Sequence, residues 1–333
     1  MPLDRFRCAF GKLLHPRHDG PATSQGGSTA ADVASGGPGV PPAPGIAPAS
    51  TNTGPEVLSV EDFRRRFEDG TLPLDPATYR VENLALTAGL DDPCSPEYAA
   101  MVMETWRALT ARADYQPTRD EAFALDDQDY LARPWPFCSS NPGEVGSYLG
   151  AVAAVIRRVR VKPPARLVEF GAGWGHLSLD LAATGFRVSA IDLNPPSVDL
   201  LRQRASLLGI DLDVVEGGFL EFESDVPVDV FIFFDSFHHC EKPFELLDRC
   251  AKQLAPGGHI IFAADAIYDD FHAPWGVRLD GSAVFMAAKF GWLELGYSRP
   301  FLEGELRKHG FDVVWETLPE LNAYGTFLTA TQR

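Results

Sequence analysis

Basic residues, paired cysteines and long apolar runs are all in short supply in this chain. Across 333 residues, 29 Lys and Arg stand against 46 Asp and Glu, for a formal net charge of -17. Neutralising phosphate needs clustered cations, so neither a nucleic-acid backbone nor an anionic membrane is expected as the main partner. The five cysteines, Cys8, Cys94, Cys138, Cys240 and Cys250, are odd in number and form no C-x-x-C. That argues against a disulfide framework or a thiolate zinc site, and a reducing cytoplasm is the expected setting. No apolar run nears the roughly 18 residues that span a bilayer, so no membrane insertion is expected. The opening MPLDRFRCAFGKLLHPRHDG lacks a continuous hydrophobic stretch and a small-residue cleavage site, so no targeting segment is expected.

What is present changes character along the chain. From Gly20 to about Pro55 the residues are Gly, Pro, Ala, Ser and Thr almost throughout, with no aromatic. Such a stretch cannot bury enough apolar surface to offset its ordering entropy, so residues 1–56 are expected to be a mostly disordered arm. Val57, Val60, Phe63 and Phe67 then recur at helical spacing. Ser95-Pro96 announces a second helix with Tyr98, Val102, Trp106 and Leu109 on one face, and Asn141-Pro142 a third, carrying Tyr148, Val152, Val155 and Ile156. Residues 57–165 therefore read as a helical cap, ended by Lys162-Pro163-Pro164.

From Arg166 short apolar runs alternate with helical patterns, the mark of a parallel sheet covered on both faces. Strands are expected at 167–170, 187–191, 212–215, 228–234 and 259–264, separated by helices. The helix over 243–254 is ended by Pro256-Gly257-Gly258. After a helix over 301–309, strands 311–317 and 325–331 are joined by a linker too short for a crossover helix, so they form an antiparallel hairpin. The fold class is α/β, doubly wound. An aromatic, glycine-rich insertion, residues 265–300, leaves the carboxyl end of a strand, where open α/β sheets place ligands.

The stretch LVEFGAGWGHLSLDL puts Gly171, Gly173 and Gly175 between the first strand of this sheet and a helix. A helix start offers unpaired amides, and glycines let a ligand lie against bare backbone. A dinucleotide site wants G-x-G-x-x-G, but His176 stands where its last glycine belongs, which weighs against a nicotinamide-dependent oxidoreductase. The pattern Glu169-x-Gly171-x-Gly173-x-Gly175 instead resembles motif I of class I S-adenosylmethionine-dependent methyltransferases. Asp192 closing the second strand, the segment DVFIFFDSFHHCEKPFELLDRCAKQLAPGGHIIF and the terminal hairpin extend the likeness over roughly residues 166–264 and 300–333.

The resemblance implies a Rossmann-like seven-stranded core over 166–333 and S-adenosylmethionine as cofactor. Gly171 and Gly173 would pass its methionyl part at backbone distance, with Gly175 in the same cofactor loop and Glu169 near the ammonium, directly or through water. Asp192 would take the ribose hydroxyls, Leu193 the adenine face, and Asp235 would face the reaction centre. After the third strand the family often has Gly-Asp, where this chain reads Glu216-Gly217-Gly218-Phe219. Gly218 and Phe219 would border the adenine, through the Phe219 amide and ring, or Glu216 would substitute for the missing acid.

Methyl transfer to a hydroxyl requires a group to take its proton, and histidine titrates in the useful range. His238 and His239 follow Asp235 and are the catalytic candidates; equally, a His here is part of a cofactor-packing loop in many such proteins. In the insertion, Trp275 and Arg278 are the candidate acceptor-binding residues; alternatively its aromatics pack under the cap. No metal is expected, because no spacing demands that Asp265, Asp269 and Asp270 cluster. PWGVRLDG and GWLELGY resemble segments of bacterial methyltransferases of surface-polysaccharide synthesis. The sequence thus points to methyl transfer to a small molecule or glycan precursor, with O-methylation of a sugar favoured. A cofactor-binding scaffold with weak turnover is the alternative.

Overall fold

The computed structural model describes residues 54–82, 92–125, 127–135 and 139–333. The opening segment, nearly all of the expected disordered arm, and Pro136 to Cys138 of the RPWPFCSSNPG stretch lie outside them. The described chain begins with strand β1 (Glu56–Leu58) and helix α1 (Val60–Glu68). Ser59 caps α1, its Oγ accepting the Asp62 amide at 3.0 Å. A serine followed three residues later by an acid starts a helix, so Val57, expected on the helix, falls in β1 and is 51% exposed. The cap is also not wholly helical, since β2 (Tyr79–Val81) pairs in parallel with β1.

Helix α2 (Pro96–Thr110) starts at Ser95 as expected and buries Tyr98, Val102, Trp106 and Leu109. Short helices α3 (Pro117–Asp120) and α4 (Asp127–Ala132) lead to α5 (Pro142–Arg158), capped by Asn141. The core then alternates β3 (Arg166–Phe170), α6 (His176–Ala183), β4 (Arg187–Asp192), α7 (Pro195–Leu208), β5 (Asp213–Glu216), β6 (Val228–Phe234), α8 (Pro243–Gln253) and β7 (Leu254–Ala263). The Pro256-Gly257-Gly258 turn is absorbed into β7, which meets β6 with a register shift between Val228 and Val230. The insertion is ordered: β8 (Ile267–Tyr268), β9 (Trp275–Val277), α9 (Gly281–Phe290) and β10 (Leu295–Ser298) make a small sheet of order β8-β10-β9 with one helix. Helix α10 (Arg299–Lys308) and strands β11 (Phe311–Thr317) and β12 (Thr326–Gln332) complete the chain.

The main sheet has seven strands in the order β11-β12-β7-β6-β3-β4-β5. β3 to β7 run parallel, while β12 lies antiparallel between β7 and β11, giving the expected terminal hairpin. Successive strand side chains take opposite faces. Phe231 and Phe233 enter one core with Phe170 and Phe262, whereas Val230, Ile232 and Phe234 enter the other with Leu167 and Ile261.

The stretch 57–165 serves both faces. Tyr148, Ala151, Val152 and Val155 of α5 join the second core, as a sheet-covering helix would. α1 and α2 instead pack with the insertion: the Tyr98 hydroxyl donates to the Trp275 carbonyl at 3.0 Å, and Trp106 Nε1 to the Gly291 carbonyl at 3.1 Å. Gly281 passes so close to Pro76, in the turn before β2, that a Cβ would sit 2.1 Å from its carbonyl oxygen. Among the described residues, no helix is long and apolar enough to cross a membrane.

Candidate active site

β3 and β6 are neighbours, yet the chain proceeds from β3 toward one edge of the sheet and from β6 toward the other. Loops leaving their carboxyl ends diverge and open a crevice. The loop after β3 holds the three glycines, all with left-handed backbone, and each has a different neighbour. A Cβ on Gly171 would lie 2.6 Å from Cβ of Ser236, and one on Gly175 2.0 Å from Cδ1 of Leu201. Only at Gly173 is the side-chain direction open, its nearest atom being the Gly171 carbonyl at 3.9 Å. Gly171 and Gly175 thus let protein approach protein, and Gly173 leaves backbone bare toward the crevice.

Asp192 ends β4 beside this loop, half-buried. Its Oδ2 accepts the Gly173 amide at 2.8 Å and its Oδ1 the Asn194 amide at 2.9 Å. Burial raises its pKa, against those two amides. Each carboxylate oxygen keeps a further lone pair. Glu169, two residues before the loop, is buried under α6 and accepts a hydrogen bond from the Ser178 hydroxyl. Burial pushes its carboxyl up to about 8. Next to β4, Gly218 donates its amide to Glu221 Oε2 at 3.0 Å, and the Phe219 ring stands edge-on to Phe170 at 5.7 Å, within reach of the Gly171 position. Glu216 is exposed, so Glu221, not considered from the sequence, is the acid that closes this turn. Leu193 is half-buried between Asp192 and Asn194.

The loop after β6 begins at Asp235, a non-glycine residue with φ of 54°. Such backbone costs of the order of 1–3 kcal/mol and persists where the surroundings enforce it. The Ser236 hydroxyl donates to the Phe170 carbonyl at 2.7 Å and ties this loop to β3. Asp235 remains open to solvent while walled in by protein, and burial raises its pKa. His238 is buried, with Nδ1 2.9 Å from Asp265 Oδ1, and burial lowers its pKa to about 4. Burial also raises Asp265 to about 7, against backbone amides of Ser236, Phe237 and His238 that favour its ionised form. His239 places Nδ1 3.0 Å from the Leu293 carbonyl and 3.3 Å from Glu121 Oε2. Despite burial, Glu121 and Glu294 lift its pKa to about 10.

Residues 112–123 cross this edge as a strap. Arg112 donates to the Phe290 carbonyl at 2.8 Å and pairs with Asp120. Glu121 accepts the Leu293 amide at 2.7 Å and the Tyr115 hydroxyl at 2.8 Å, and the Phe123 amide reaches Asn194 Oδ1 at 3.4 Å.

The insertion corrects several sequence expectations. Trp275 is only 2% exposed: it packs on Tyr98 and Phe244 and donates Nε1 to the Pro93 carbonyl at 2.7 Å, so it belongs to the cap–insertion core and not to an acceptor wall. Trp292 is the indole at the site, 6.2 Å from the His239 ring. Arg278 is near the site but engaged, bridging Asp280 at 3.0 Å and Glu294 at 3.3 Å. The three acids considered as a cluster separate: Asp265 serves His238, while Asp269 pairs with Arg299. His238, His239 and Glu294 each bring a ligand-type atom within 4.8 Å of the others. Glu121 and Glu294 were missed from the sequence, although an acid set between Leu293 and Leu295 was a visible signal. A second cleft, lined by Arg166, Arg187, Asp213 and Ser224 among others, lies at the amino edge and contains none of these residues.

This geometry agrees with comparison to known proteins. Residues 168–262 match the family model of the methyltransferase domain. Over that stretch the chain is similar to a methyltransferase domain. Over 100 residues it is 34% identical to the ubiquinone biosynthesis O-methyltransferase of Caulobacter sp. (strain K31), a match covering 29% of this chain and 40% of that protein. An uncharacterized methyltransferase of Geobacillus kaustophilus is 34% identical over 107 residues, 31% of this chain and 48% of its own length. The chain thus matches under half the length of these relatives. Among solved structures, the N-methyltransferase NodS of Bradyrhizobium japonicum, in complex with S-adenosyl-L-homocysteine, aligns with a TM-score of 0.43 at 16% identity, over 65% of this chain and 99% of that one.

Proposed function

We propose that this chain is an S-adenosylmethionine-dependent methyltransferase acting on a hydroxyl of a small molecule. The observation that carries the reading is the loop after β3: Gly173 presents bare backbone, and Asp192, fixed by that residue's amide, keeps lone pairs for a vicinal diol. The residues fit a sulfonium nucleoside better than a dinucleotide. The Asp192 carboxylate flanks the loop, and a pyrophosphate would meet its charge, whereas a cation is favoured by it. Leu193, Gly218 and Phe219 would border the base, and Asp235 the methionyl end.

When bound, the cofactor supplies an electrophilic methyl carbon that an acceptor oxygen displaces from sulfur, which keeps the bonding electron pair. The protein's part is alignment, exclusion of water and removal of one proton. His238 suits that last role in the metal-free protein. It is neutral at neutral pH, its Nδ1–H donates to Asp265, and its Nε2 has no protein partner among the described residues. The imidazolium formed would be stabilised by Asp265 and Asp235. His239, held as a cation by Glu121, contributes charge in this state.

Oxygen as acceptor is supported by the names of the O-methyltransferase relatives. The narrower reading, a sugar or glycan precursor, rests on the likeness of PWGVRLDG and GWLELGY to polysaccharide-associated methyltransferases, with Trp292 as the ring against which a sugar would lie. The free thiols Cys94, Cys240 and Cys250 fit a cytoplasmic setting. Calorimetry with S-adenosylmethionine and S-adenosylhomocysteine tests the cofactor: absence of heat on folded protein refutes the reading. Mass spectrometry for gain of one methyl group on phenols and on sugars then separates the acceptor classes.

A further inference from the structure

We propose that His238, His239 and Glu294 form a binding site for one first-row divalent transition-metal ion beside Asp235. Three side chains from two distant parts of the chain bring one ligand-type atom each within 4.8 Å of one another. Each imidazole is oriented as metal ligands are. Nδ1 of His238 faces Asp265 at 2.9 Å and Nδ1 of His239 faces the Leu293 carbonyl at 3.0 Å, so both rings are held by one nitrogen and offer Nε2. A ligating histidine almost always gives its other ring N–H to a carboxylate or backbone carbonyl. Asp265 is itself fixed by backbone amides of the histidine loop, and Glu121, which holds the Leu293 amide, braces the His239 ring from the strap.

Glu294 adds an independent argument. It is 7% exposed, between Leu293 and Leu295, both fully buried. Its ion-pair partner among the described residues is Arg278, at 3.3 Å, a guanidinium shared with Asp280, and the His239 ring lies within 4.8 Å. A carboxylate kept at this depth against its desolvation calls for compensating positive charge. Two imidazole nitrogens and one carboxylate oxygen select zinc, iron or manganese over calcium or magnesium, which prefer all-oxygen shells. Three protein ligands leave coordination positions open, the arrangement of a metal that receives a substrate or water. Binding would exchange the His239 proton for the ion. The inference deepens the reading above, in that a hydroxyl coordinated there loses its proton more readily than at a bare imidazole. From that reading it takes only the assignment of this crevice to the acceptor.

The test uses the full chain without an affinity tag, stripped with chelator and titrated with Co2+, whose d–d absorption reports the ligand set, followed by displacement with Zn2+. One ion per chain is expected. Glu294→Gln and His239→Gln should abolish stoichiometric binding, and Asp265→Asn, which meets the His238 ring but supplies no ligand atom, should weaken it about 10–100-fold. Thermal melts verify folding, and Asp269→Asn, on the surface with Arg299, is the control that binds normally. Binding well below one ion per chain, or equal affinity in folded Glu294→Gln and His239→Gln, overturns the site. Calorimetry with S-adenosylhomocysteine on the same samples reports the nucleoside berth separately. Nucleoside heat without metal sinks only the metal site; metal without nucleoside heat sinks only the cofactor reading.

Discussion

The Asp192 carboxylate and the Gly173 amide are joined across the glycine loop at 2.8 Å, although 19 residues separate them in sequence. The contact closes the end of β4 onto the loop after β3. It makes the Asp192 side chain the brace of the loop, with lone pairs left over for the nucleoside proposed above.

Replacing Asp192 with Ala should therefore reduce affinity for S-adenosylhomocysteine sharply. A hydrogen bond to a charged group contributes about 1.5–3 kcal/mol, so loss of one predicts a fall of roughly 10–150-fold. Titration calorimetry checks it. An unchanged dissociation constant would remove Asp192 from the site.

The loop glycines should separate by experiment. Gly175→Ala forces a methyl group into Leu201 and should destabilise the fold by about 1–3 kcal/mol through overpacking, beyond the backbone strain. Gly173→Ala meets open space, so only the left-handed backbone cost of roughly 1–2 kcal/mol applies, while nucleoside affinity falls. Urea unfolding and calorimetry on both variants distinguish the cases. Equal behaviour in both assays would contradict the distinct roles assigned here.

These two positions also mark what one sequence discloses. Parallel strands buried on both faces print continuous apolar runs, so β3, β4, β6 and the β11–β12 hairpin were legible to within a residue or two. The three glycines were legible as a tight loop, but which of them is left open depends on Ser236 and Leu201, supplied by other elements. The strands of the insertion are two to four residues long, too short for any periodicity to register. Trp275 is apolar enough for a core and aromatic enough for a binding wall; only the arrival of Tyr98, 177 residues away, decides between them. Glu121 was invisible for the same reason, since its amide partner Leu293 lies 172 residues on. Ser59 with Asp62, by contrast, was readable as a cap and would have kept Val57 off the helix.

Stability should carry the signature of Glu169. Its carboxyl titrates near 8 in the fold against an ordinary 4.5, so between those values the folded protein holds a proton that the unfolded chain has released. By linkage, this group's contribution falls as pH rises through that window and is fully lost above about 8. Glu169→Gln removes the titration. Its stability relative to the parent should improve from about pH 5 to about pH 9 in urea unfolding. A difference independent of pH would refute the raised carboxyl.

Turnover should depend on the His238–Asp265 pair. His238→Gln should lower kcat by about 10²–10⁴-fold, the usual contribution of a positioned base, with nucleoside affinity retained. Asp265→Asn acts through the orientation of that ring and should lower kcat less. Single-turnover methyl transfer to an acceptor found by mass spectrometry measures both. Unchanged kcat in folded His238→Gln would show that the acceptor proton leaves by another route.

The indole of Trp106 is completed by a carbonyl 185 residues further along the chain. During synthesis at about 5–20 residues per second, that helix must wait roughly 10–40 s beyond the ribosome exit before Gly291 can reach it. Until then the buried face of α2 has no counterpart. This nascent intermediate, and not the finished molecule, is where chaperone engagement and misassembly should concentrate, and shortening the delay by circular permutation would relieve both.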